Sequence, residues 1–149
     1  MDALELLRTD HDKVKKMLED LDSTTERALK TREEGFTKLR RELEVHEAIE
    51  EEIFYPALKQ HPKAKELVLE AYEEHNVVDM VMGEIGGVAY DDETWGAKFT
   101  VLKENLEHHI QEEEDEMFEQ AREVFEREQL DELGERMSER KDELLGANA

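Results

Sequence analysis

Two histidine–glutamate pairs define the chemistry open to this chain. His46 precedes Glu50 and His109 precedes Glu113, each by four residues. On a helix that spacing puts imidazole and carboxylate on one face, a turn apart. His11 and His75 come earlier in each half, so the order is His, HxxxE, His, HxxxE. Glutamate is so abundant that HxxxE alone says little, and His108 with Glu112 repeats it one residue out of phase. Position on the helix decides. The six residues His11, His46, Glu50, His75, His109 and Glu113 fall where helices should present leucines, whereas His108 is rotated away from His109 by about 100°. Burying two carboxylates without a cation would cost several kcal/mol each, and a metal removes that cost. Imidazole with carboxylate suits iron, manganese or zinc, and two carboxylates among four histidines point to two metals bridged by Glu50 and Glu113.

Four apolar stripes position these groups. The first helix opens on an Asp2–Glu5 capping box and runs Leu4, Leu7, His11, Val14, Leu18, Leu21. The second follows a Thr31–Glu34 box and runs Phe36, Leu39, Leu43, His46, Glu50, Ile53, Ala57, with Pro56 expected to kink or end it. The third begins near Pro62, runs Ala64, Val68, Ala71, His75, Val78, Met82, Ile85, and ends at Gly86 and Gly87. The fourth follows the turn AYDDET and runs Trp95, Phe99, Leu102, Leu106, His109, Glu113, continuing through Met117, Ala121 and Val124. Short connections predict an all-α, up-down-up-down antiparallel four-helix bundle over residues 1–127. At about 1.5 Å of rise per residue, the six polar groups lie within about one and a half turns of one another in depth. Residues 128–149 carry a weaker stripe, Leu130, Leu133, Met137 and Leu144, which suits a short fifth helix packed on the bundle, a partner or dimer contact, or a frayed tail.

Composition narrows the function classes. The 149 residues contain no cysteine, which excludes disulfides, thiolate metal sites and thiol catalysis. A formal net charge of -22 repels nucleic acid and anionic membranes. The N-terminus has no basic segment followed by an apolar run, and no stretch reaches the roughly 18 apolar residues of a membrane span, so a cytoplasmic protein is expected. His61, before Pro62, reads as a surface or capping residue. Tyr72, one turn before His75, reads as packing or as a hydrogen-bond donor to a metal-bound ligand. Asp79, one turn after His75, reads as a solvent-facing or structural group, or as a ligand. The acidic runs after His46 and His109 read as mostly solvated faces, apart from Glu50 and Glu113.

The segments around Asp10–His11, HEAIEEEIFYP from His46, EHN around His75, and HHIQEEEDEMF around His109 resemble the hemerythrin-like, or HHE cation-binding, family over roughly residues 3–125. The resemblance implies a non-haem di-iron centre, oxo- or hydroxo-bridged, with His11, His46, Glu50, His75, His109 and Glu113 as ligands. Oxygen-carrying members have a second histidine one turn along the third helix, where this chain has Asp79, and a fourth-helix Asp one residue beyond Glu113. Both departures weigh against oxygen transport. Four histidines, two bridging carboxylates and one bridging oxygen fill about ten of the roughly twelve positions that two irons want, leaving about two for a small molecule. The residual positive charge should favour small anions such as peroxide. The expected function is reaction with peroxide, dioxygen or nitric oxide in oxidative or nitrosative stress defence, with peroxidase- or catalase-like turnover. The alternatives are a module that binds or senses dioxygen, nitric oxide or iron without turnover, and a structural bundle stabilised by zinc or manganese.

Overall fold

The computed structural model describes residues 1–146, which are all-helical. In chain order they form α1 (Ala3–Asp22), α2 (Leu29–Ile49), a π-helical turn π1 (Glu50–Phe54), α3 (Tyr55–Lys59), α4 (Lys65–Gly86), α5 (Trp95–Glu112), a second π turn π2 (Glu113–Met117), α6 (Phe118–Val124) and α7 (Arg127–Gly146). Because each π turn joins the helices on either side, α2–π1–α3 and α5–π2–α6 are two long rods. The rods pack with α1 and α4, and α7 lies across α1, α2 and π1. No described helix is long and apolar enough to cross a membrane.

Caps and breaks follow local chemistry. The Asp2 carboxylate accepts from the Glu5 backbone N–H at 2.9 Å and caps α1. The expected Thr31–Glu34 box does not form, since α2 starts at Leu29 with no side-chain cap. What sets its start is buried Arg32, which donates to the Thr24 hydroxyl, the Thr24 carbonyl and the Tyr90 carbonyl, and lies 4.2 Å over the Trp95 ring. Thr31 is thereby carried inside the first turn. The third long helix starts at Lys65, three residues beyond Pro62, which stays in the connecting turn. Pro56 neither ends nor sharply breaks its rod: the helix runs on to Lys59, with π1 just before the proline. A ring without an N–H needs no carbonyl partner, and the widened turn gives it room.

The apolar core is divided in two. One cluster gathers Leu4, Leu7, Ile49, Phe54, Leu58, Val68, Phe118 and the buried face of α7, including Leu130, Leu133 and Met137. The other gathers Val14, Leu18, Leu39, Leu43, Val78, Met82, Trp95, Phe99, Leu102 and Leu106. His11 lies in sequence between Leu7 of the first cluster and Val14 of the second, and His75 between Ala71 and Val78. A polar layer is therefore clamped between two dry plugs, which shield it and fix its depth. Residues 128–146 belong to α7, and of the expected tail only residues 147–149 lie outside the described residues.

Candidate metal centre

All six expected residues are buried in this layer: His11, His46, Glu50, His75, His109 and Glu113 are each at most 6% exposed. One atom each from His11, His46, Glu50 and Glu113 falls within a 4.8 Å cluster, and Glu50, His75 and His109 form a second. The two carboxylates tie the clusters together. Glu50 Oε1 is 3.3 Å from His46 Nε2 and 3.2 Å from His75 Nε2. Glu113 Oε1 is 3.1 Å from His11 Nε2, and its Oε2 is 3.3 Å from His109 Nε2. Each glutamate thus faces one histidine from each half of the chain.

The other ring nitrogen of every histidine is held by a carboxylate. His11 Nδ1 pairs with Glu114 at 2.7 Å, His46 with Asp10 at 2.9 Å, His75 with Glu51 at 2.9 Å and His109 with Glu74 at 2.7 Å. In the neutral ring, donation from Nδ1 leaves the Nε2 lone pair pointing inward, the tautomer that a metal ligand requires. His11 Nε2, His46 Nε2, His109 Nε2, both Glu50 oxygens and Glu113 Oε1 are buried without a hydrogen bond. Buried polar atoms are rarely left so, and a convergent set of them fits a cation site. Nitrogen and oxygen donors without sulfur suit iron, manganese or zinc.

Both glutamates begin a π turn. The backbone N–H five residues on, of Tyr55 and of Phe118, bonds to the carbonyl of Glu50 and of Glu113 respectively. The wide turn advances the buried face by one residue. Phe54, Tyr55 and Leu58 become fully buried while Ala57, expected in the core, is only partly so. This shift delivers Tyr55, whose hydroxyl donates to Glu113 Oε2 at 2.5 Å and lies 3.3 Å from His75 Nε2. Tyr72 packs edge-on against Tyr55 at 5.3 Å.

Charge balance within the layer is tight. Burial lowers the affinity of His109 for a proton, but the Glu113 carboxylate 3.3 Å from Nε2 and the hydrogen bond to Glu74 outweigh it and hold the ring at about 10. His75 is likewise lifted to about 9 against burial, chiefly by Glu50. Burial would raise Glu113, yet bonding with Glu50, His109 and His11 holds it well below the usual carboxylate range. Burial pushes Tyr55 well above an ordinary phenol, with the Glu113 and Glu50 charges adding to it, so it stays a protonated donor.

Beside the layer, a cavity of about 410 Å³ is lined by residues including Arg40, Glu47, Glu51, Asp79 and Met82. Burial, with Asp79 alongside, pushes the Glu47 carboxyl up to about 8. Asp79 itself is exposed. His108 is exposed, pairing with Glu112 at 3.1 Å, and His61 is half-buried edge-on to Phe125 at 5.3 Å. Within the acidic runs, expected to be mostly solvated, Glu51 and Glu114 have a further role: they bond to His75 and His11. Asp10 and Glu74 were missed as supports, although an acid stands directly before the first histidine of each half.

The model of the family described as the hemerythrin HHE cation binding domain matches residues 2–121. The crystal structure of a hemerythrin HHE cation binding domain-containing protein from Mycobacterium kansasii, a homologue of Rv2633c, superposes with a TM-score of 0.88. The two chains are 28% identical, over 99% of this chain and 89% of that one. No curated protein matches the sequence.

Proposed function

This chain belongs to the hemerythrin HHE cation-binding family, and we propose that its buried layer holds two iron ions, bridged by Glu50 and Glu113, that react with small oxidants, hydrogen peroxide first among them. The observation that carries this reading is the set of inward-facing donors on four carboxylate-held histidines. His11 and His46 would serve one ion, His75 and His109 the other, within an up-down-up-down antiparallel bundle. Two bound irons would relay two electrons from one peroxide to another, so that one H₂O₂ is oxidised to O₂ with release of two protons and the second takes up those electrons and protons to give two H₂O.

The chain's own groups handle access and protons. The cavity beside the layer is edged by Glu44, Glu51, Glu52 and Asp79 against the single cation Arg40, so it disfavours anions and would admit neutral H₂O₂, dioxygen or nitric oxide. Glu47 keeps its proton at neutral pH, next to the Glu51 carboxylate that holds His75. Tyr55 O–H donates to Glu113 Oε2, fixing that bridging carboxylate and presenting a proton at the layer. The apolar plugs on either side exclude bulk water.

The test is oxygen evolution from added peroxide by the iron-loaded protein, set against His46→Ala and an equal amount of free iron. Sustained evolution well above both controls is expected. Evolution no greater than the controls, together with reversible uptake of dioxygen, would replace turnover by a binding role.

A further inference from the structure

Outside the region of the family match, α7 reaches the metal layer through one side chain. Lys141 Nζ lies 2.5 Å from Asp10 Oδ1, and the other oxygen of that carboxylate, Oδ2, accepts from His46 Nδ1 at 2.9 Å. Asp10 is only 2% exposed, so each oxygen depends on the partner it has. Lys141 also lies 3.9 Å from Glu42, which Lys13 holds at 3.2 Å. The corresponding support in the other half, Glu74 on His109, is 30% exposed, with Glu112 and His108 beside it and no part of α7.

The docking of α7 is built to deliver this contact. Leu130, Leu133 and Met137 are buried against the bundle. At Gly134 the helix crosses the chain's start so closely that a Cβ would collide with the backbone of Met1 and Asp2. Arg140 pairs with Glu52 at 3.0 Å, and Arg41 donates to the carbonyls of Leu144 and Leu145 at 3.0 and 3.2 Å. The helix is thus pinned on both sides of Lys141.

We propose that Lys141 is a positioning residue of the metal centre: by pinning Asp10 it fixes the His46 ring, so that docking of α7 and cation binding by His11 and His46 strengthen each other. The inference rests on the two-cation reading above. Without Lys141, one buried oxygen of Asp10 has no partner and the carboxylate must turn or draw in water, which releases the ring it orients. Groups that orient metal-bound histidines are worth about 10- to 100-fold in affinity, and Lys141 acts one step further out, so about tenfold is expected. Thermodynamic reciprocity then requires a bound cation to hold α7 down by the same factor.

The experiment titrates metal-free protein with ferrous iron, without oxygen, against a chelator of known affinity, for wild type, Lys141→Ala, Lys141→Arg and the surface control Lys16→Ala. Hydrogen exchange over residues 127–146 is followed with and without iron. In Lys141→Ala one equivalent should bind as in wild type and the other about tenfold more weakly, with Lys141→Arg in between and Lys16→Ala unchanged. Iron should slow exchange in α7 of wild type but not of Lys141→Ala. Wild-type affinity for both equivalents in Lys141→Ala, or equal weakening of both, overturns the proposal. A wild type that takes up no iron sinks the metal centre itself, and this inference with it.

Discussion

The two halves of the chain build the same set of two buried histidines and a buried glutamate and surround it differently. His11, His46 and Glu50 in the first half correspond to His75, His109 and Glu113 in the second, and Asp10 and Glu51 correspond to Glu74 and Glu114. The supports are partly exchanged: His11 leans on Glu114 from the second half, and His75 on Glu51 from the first. Outside that shell the match ends. Five residues after the glutamate, the first half has Tyr55, bonded to Glu113, and the second has Phe118, stacked on His11 at 6.0 Å. Asp10 is buried under α7, whereas Glu74 is part exposed. On the proposed reading two equivalent cations would need equivalent donors, which accounts for the duplicated shell. The periphery was free to diverge, and it makes one half-site enclosed and the other open.

The sharpest way to break the comparison is to remove what the halves share. Glu50→Ala or Glu113→Ala should abolish most binding of both irons, while His46→Ala or His109→Ala should spare one. Metal analysis of the four proteins, with His108→Ala retaining both, distinguishes a bridged pair from two independent sites. Next in size is removal of the cations. A ligand at a thousand times its Kd adds about 4 kcal/mol, so stripping should lower Tm by on the order of 10 °C for a domain of this size. The gap depends on pH. In the stripped protein His75 at about 9 and His109 at about 10 stand above the ordinary 6.5. Their contribution is complete below that value and is lost as pH rises through 9 to 10. Melting curves from pH 7 to 10 should therefore show the stripped form falling faster than the loaded form, and parallel curves would contradict the pairing. The smallest effect sharpens the asymmetry. Tyr55→Phe makes the two halves alike, so it should keep both irons and lower stability by about 2 kcal/mol, the worth of a buried bond to a charged group. Denaturant unfolding of the loaded protein measures it.

Much of this is legible in the sequence. The six layer residues declared themselves because leucine, valine and methionine at helical spacing flank each of them, and a polar group on such a stripe needs a reason. The supports were harder to see. Glu51 and Glu114 sit within acidic runs, and nothing in a run of glutamates marks the one that reaches a histidine. Tyr55 was hidden for another reason: a uniform 3.6-residue period turns it away from the layer and puts Ala57 inward, and only π1 reverses the two. Pro56 next to it was the available signal. Read as a break, it marked instead where the helix widens. Likewise Thr31 and Glu34 had capping-box spacing, but the buried contacts of Arg32 outweighed the few tenths to one kcal/mol or so that a cap supplies.

The central claim is that one buried layer holds two cations shared by Glu50 and Glu113. Native mass spectrometry of the chain, loaded with ferrous iron without oxygen and freed of excess metal, tests it directly. The expected result is a predominant species with two irons, because Glu50 and Glu113 each face one histidine of either half-site and so offer oxygens to both ions. A population that stops at one iron, or that carries none, would contradict the account.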